Sequence, residues 1–121
     1  MDRQWTFRAL RTIKGNVVTD WLRNDRRLSA RLDSFLRRLK IMDLPWQLPY
    51  YRALGDGIGE LRIDLGKVEH RLYGFFGVQP KTFTILNASS DKKSQNRMIQ
   101  DSKKLRKQTI EFGLETEEYV V

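Results

Sequence analysis

The chain has 121 residues, 40% apolar and 11% aromatic, which is enough for one buried core and too much for a disordered polymer. With no cysteine and one histidine, it excludes disulfide frameworks and metal sites built on cysteines or several histidines. Lys and Arg number 23 against 15 Asp and Glu, a net +8, and residues 1–40 alone hold 11 basic against 4 acidic side chains. Such a balance fits a negatively charged partner, and equally a solvated basic surface with none. No run of about 18 apolar residues exists to span a membrane, and the start, Met1-Asp-Arg-Gln-Trp5, lacks an apolar signal segment, so a cytoplasmic protein is expected.

In chain order, residues 5–10 alternate weakly and can form a first strand, broken at Gly15-Asn16. Asn16 or Thr19 can cap a short helix carrying Val17, Val18, Trp21 and Leu22. Asp25 then caps a longer helix to about Met42, whose Leu28, Leu32, Phe35, Leu36, Leu39 and Met42 fall on one stripe. Its other face carries Arg26, Arg27, Arg31, Arg37, Arg38 and Lys40, either as a solvated face or as a surface for phosphates or an acidic partner. Residues 43–51 read as a proline-bearing loop whose Trp46 and Leu48 fold back over the helix stripe. The glycine-rich stretch 54–59 is expected to be flexible; it lacks the Gly-Lys-Ser/Thr of a nucleotide loop.

Three strand-like runs follow, at 59–65, 68–76 and 82–88, rich in β-branched and aromatic residues and bounded by turn formers. In the first, Leu61, Ile63 and Leu65 alternate with Glu60, Arg62 and Asp64, which predicts an antiparallel meander with one buried and one wet face. Ser94 is expected to cap a last helix over about 95–112, with Gly113 as its stop and an apolar seam of Met98, Leu105 and Phe112, joined by Ile99 and Ile110. The tail, 114–121, is expected to be loosely ordered. There is no repeat or dividing linker, so residues 1–121 form one domain.

Standard catalytic constellations are missing. What remains is a set of cations: Arg62 on one strand, Arg71 on the next, and Lys92 with Lys93 in the following loop. Neighbouring strands lie about 5 Å apart, so Arg62 and Arg71 can reach one phosphate. By alternation His70 points away from Arg71 and Tyr73, and the wet face is assigned to the latter two, with Phe75 and Phe76 in the core.

The motif order resembles a known family. Two helices and a Gly-rich turn precede Gly59-Glu-Leu-Arg-Ile63, His70-Arg-Leu-Tyr-Gly-Phe-Phe76, a third strand, Asp91-Lys-Lys-Ser-Gln-Asn96 and a basic C-terminal helix. This is similar to the RelE/HigB toxins of bacterial type II toxin–antitoxin systems, in particular their phage-derived branch, over roughly residues 26–112. The resemblance implies an α/β (α+β) RelE-like fold: a small antiparallel sheet of three to five strands, flanked by two N-terminal helices and a C-terminal helix. It implies a ribosome-dependent endoribonuclease that cleaves mRNA without a cofactor and is neutralised by a helix-turn-helix antitoxin. Carried over by position, Arg62, Arg71, Lys92 and Lys93 hold and neutralise the scissile phosphate, Gln95 and Arg97 add RNA contacts, and Tyr73 and His70 stack on bases or move protons. Two departures stand out: no tyrosine occupies the start of the last helix, and Glu60 sits where some relatives have a cation. Two other readings are a ParE-like DNA gyrase inhibitor, which shares the fold but needs no catalytic residues, and a non-catalytic phage or host RNA-binding module.

Overall fold

A computed structural model describes residues 4–42, 46 and 49–121. Strand β1 (Thr6–Leu10) leads to helix α1 (Val17–Leu22). The carboxamide oxygen of Asn16 accepts from the Val18 and Thr19 amides at 2.9 Å each, and the Thr19 hydroxyl accepts from the Asn16 amide at 3.2 Å. That reciprocal cap satisfies amide groups that a six-residue helix would otherwise leave unpaired. Asp25 accepts from the Leu28 amide and opens α2 (Arg26–Lys40), whose expected stripe is buried from Leu28 to Leu39.

Beyond α2 the chain forms β2 (Tyr51–Gly55), β3 (Ile58–Leu65), β4 (Val68–Phe76), β5 (Thr82–Ser89), a short 3₁₀ turn (Lys92–Ser94), α3 (Gln95–Phe112) and β6 (Thr116–Glu118). The fold is α+β: three α-helices against one six-stranded mixed sheet of order β2-β3-β4-β5-β1-β6. The expected small, wholly antiparallel sheet is corrected here. β1 lies parallel to β5, and the tail, instead of hanging loose, pairs antiparallel with β1 through Arg8 and Glu118. Tyr119 donates to the Asp33 carboxylate at 3.1 Å and Lys40 to the Val121 carbonyl at 3.3 Å, tying the tail to α2.

The glycine-rich stretch is a hairpin turn. Asp56 and Gly57 both have positive φ, 50° and 78°, the geometry whose twist matches paired strands. Among the described residues no helix is long and apolar enough to cross a membrane.

One sheet face packs on α1 and α2, joining Phe7, Leu61, Ile63, Leu72, Phe83 and Ile85 to the α2 stripe. Trp46 fills this core among Trp5, Phe7, Tyr51, Phe76 and Phe83; the rest of the expected lid, including Leu48, and residues 43–45 and 47 of the expected loop lie outside the described residues. Phe75 points to the opposite face, while Phe76 is partly exposed at the edge of the aromatic cluster.

The second face was expected to be wet, and here α3 covers much of it. A smaller core of Ile58, Phe75 and Leu86 forms beneath the helix, with Leu54 and Leu105 packed on it. A bulge makes this possible. Tyr73 pairs with Asn87 but Gly74 with Ile85, so Leu86 is an extra residue that joins the second core while Ile85 stays in the first. A Cβ on Gly74 would lie 2.2 Å from the Thr84 carbonyl oxygen, which is why the residue opposite the bulge has no side chain.

The line that α3 buries differs from the expected seam. Ser102 and Thr109 are buried and Leu105 is half-buried, whereas Ile110 and Phe112 are 51% and 75% exposed. At the other end of this contact Lys103 reaches Asp56 at 3.2 Å and the Arg106 guanidinium lies over the Phe75 ring at 5.6 Å. The Ser102 hydroxyl is buried without a hydrogen-bond partner. Removing an unsatisfied buried hydroxyl recovers its desolvation cost. Ser102→Ala is therefore expected to stabilise the protein by about 0.5–2 kcal/mol in urea unfolding; a loss of stability would show that the hydroxyl is bonded.

Candidate cation cleft

β3 and β4 run antiparallel with Arg62 opposite Arg71, and Glu60 opposite Tyr73. The two arginines therefore share the face that α3 only partly covers, as alternation implies. They line a small cleft of about 50 Å³ with Arg52, Glu60 and the first residue of α3, Gln95, closed on one side by Pro49, Tyr50 and Tyr51. The Tyr51 ring itself packs on the other face, against Trp46, Phe76 and Phe83 and over Gly59, where a Cβ would meet it at 2.2 Å.

The expected free cluster of cations is not what the side chains form. Arg71 is buried, with Nε 2.8 Å from Glu60 Oε1 and Nη2 2.6 Å from Glu69 Oε2. The Nε–H does not point at the Glu60 oxygen, so that contact is an ion pair without a well-aligned hydrogen bond. Arg52 lies 3.6 Å from the other Glu60 oxygen, and exposed Arg62 is 4.0 Å from Asp64. Arg52, Arg62 and Arg71 thus each have a carboxylate within 4.0 Å, but Asp64 and Glu69 lie outside the lining, which itself holds three arginines and one glutamate. Further cations lie outside the lining. Lys92 and Lys93 are exposed in the 3₁₀ turn between β5 and α3, and Arg97 is exposed in the first turn of α3.

Tyr73 is fully buried beneath this face, its hydroxyl without a hydrogen-bond partner. Burial first, and the Glu60 charge second, push its phenol up to about 12, so it stays protonated at neutral pH. A buried, protonated phenol suits packing more than contact with a base.

The structure does not bring His70 to the cleft. His70 pairs with Ile63 and faces α1, where its Nδ1 and Ser90 Oγ share a 2.6 Å hydrogen bond, Trp21 Nε1 donates to the same oxygen at 3.0 Å, and the indole meets the imidazole edge-on. Burial lowers the His70 pKa, partly opposed by Asp25 and Asp64. This surrounding is a groove of about 830 Å³, much larger than the cation cleft, but Asp20, Asp25 and Asp91 line it against Arg23 alone, the wrong sign for a phosphate.

Sequence reasoning missed Arg52 and Glu69 as members of the site. Glu69 had a readable signal, being two residues before Arg71 on the same strand and so on the same face. Arg52 became visible only with β2, which the Asp56-Gly57 turn announces. No family model matches the chain, and no curated protein and no solved structure matches it either.

Proposed function

We propose that the chain is the toxin of a type II toxin–antitoxin system: a RelE-like, ribosome-dependent endoribonuclease that acts on mRNA in the cytoplasm and is held in check by an antitoxin, here expected to be a helix-turn-helix protein. The observation that carries the reading is the Arg62–Arg71 pair on adjacent strands at a cleft that Gln95 also lines. RNA brings its own nucleophile, the 2′-hydroxyl. Attack in line forms the 2′-O–P bond and breaks the P–O5′ bond, giving a 2′,3′-cyclic phosphate and a 5′-hydroxyl. The nucleophile's proton passes to water, since Glu60 is taken up as counterion of Arg71 and Arg52, and the leaving 5′-oxygen takes a proton from water. Arg62 and Arg71 stabilise the charge that develops on the phosphorane oxygens, while Lys92, Lys93 and Arg97 hold the flanking backbone.

The test is induced expression in a bacterial host with RNA 5′-ends mapped minutes later. New 5′-hydroxyl ends inside translated frames support the reading. Arg62→Ala is expected to reduce cleavage about 100-fold or more, and because Arg62 is exposed the fold should survive the change. Full cleavage by that variant would remove Arg62 from the site. One observation favours a second reading: each arginine of the cleft already has a carboxylate within 4.0 Å, which suits a protein that binds without catalysing, such as a ParE-like gyrase inhibitor. Growth arrest with intact messages and damaged DNA would establish that alternative.

A further inference from the structure

The two carboxylates on Arg71 are not equivalent. Glu60 is 5% exposed and held from both sides by Arg71 and Arg52, so it is a fixed counterion. Glu69 is 41% exposed, and its Oε2 lies 2.6 Å from Arg71 Nη2. A carboxylate offers the guanidinium the same paired oxygens as a phosphodiester, at the same charge-assisted hydrogen-bond distance. Because it sits two residues away on the same strand, it is always at hand. Unlike Glu60, it can swing into water without leaving a buried charge unpaired, since Arg71 keeps Glu60.

We propose that Glu69 is an internal anion occupying the phosphate position on Arg71, and that an incoming phosphodiester must displace it. The device sets specificity. An isolated phosphate gains only Arg71 and the neighbouring Arg62, whereas a strand that also engages the exposed Lys92, Lys93 and Arg97 offsets the displacement with further contacts. The cleft therefore takes a polyanionic strand in preference to free phosphate or mononucleotides. The inference rests on the cleft being a phosphate site and does not depend on whether the bound strand is cut.

Binding of a 2′-O-methyl RNA hexamer, which cannot be cleaved, and of inorganic phosphate tests it on the full chain, with Glu69→Gln as the variant and Asp64→Asn as the comparison. Glu69→Gln keeps the side chain's shape at an exposed position, and a thermal melt confirms that it folds. It is expected to bind both probes about three- to fivefold more tightly, the proportionate gain being at least as large for inorganic phosphate. Asp64→Asn, which relieves only a 4.0 Å contact on Arg62, should change binding less than twofold. Unchanged or weaker binding by Glu69→Gln overturns the inference, because Glu69 would then be neutral or would orient Arg71. Failure of the wild type and the variant to bind either probe overturns it together with the phosphate-site reading. Tighter binding by Glu69→Gln in a protein that cuts no RNA in cells supports the inference and removes only the nuclease.

Discussion

Arg71→Ala is expected to unfold the protein rather than simply silence it. The guanidinium lies between Glu60 and Glu69, and Glu60 is itself buried. Removing it leaves the buried Glu60 carboxylate only Arg52, half-exposed and 3.6 Å away, so the loss should approach that of a broken buried pair, about 3–5 kcal/mol, a large part of the stability of a small domain. Urea unfolding of the purified variant measures the loss. The double variant Glu60→Gln, Arg71→Ala should lose less than Arg71→Ala alone, since the stranded charge has been removed with its partner. Additive losses would show that the two side chains are not coupled. For function the consequence is direct: loss of toxicity in Arg71→Ala would report the fold, so Arg62, exposed on the neighbouring strand, is the residue on which catalysis can be tested.

The second large effect is expected at Trp46. Its indole lies 5.2 Å from the rings of both Trp5 and Phe76 and 5.8 Å from Phe83, and also touches Phe7 and Tyr51. It thereby joins β1, β2, β4 and β5 at one point of the main core. Trp46→Ala removes one of the two indoles from that cluster and should cost about 3–5 kcal/mol, read as a lowered midpoint in thermal or urea unfolding. Trp46→Phe should cost under about 1.5 kcal/mol, because it keeps most of the apolar volume and drops an indole N–H that is buried without a hydrogen-bond partner. A loss below about 1 kcal/mol in Trp46→Ala would place the indole outside the core.

The helices were the most legible part of the chain because their signals are local. Asp25 and the Leu28-to-Leu39 stripe fixed α2, Asn16 fixed α1, and Gly113, at φ 65°, ends α3 where a stop was expected. What the sequence concealed was decided at a distance. The parallel pairing of β1 with β5 and the capture of the tail by β1 have no local signature. The bulge at Leu86 shifts the alternation on β5, so the residues that line the second core do not fall on one period. α3 misled for a different reason. The helix meets the sheet through Ser102, Leu105 and Thr109 while Ile110 and Phe112 stay in solvent, so only part of its apolar seam marked the buried side. At the cleft, alternation placed Arg62 beside Arg71 correctly. That Arg71 would be buried between carboxylates could not be read without knowing that α3 covers that face.

The position of β1 bears on how the molecule is made. Thr6 pairs with Thr82 and Arg8 with Glu118, while β2, β3 and β4 each pair with the next strand in the chain. On a ribosome, β1 is synthesised first yet has no neighbour in the sheet until β5 has emerged, and its outer edge waits for residue 118. The local hairpins can form in sequence meanwhile, carrying Arg62 and Arg71 together early, but the free edge of β5 stays open to other chains until β1 docks. Contacts between such distant segments carry a high loop-closure cost, so completion of the sheet is the slow step, after the pair of arginines is in place.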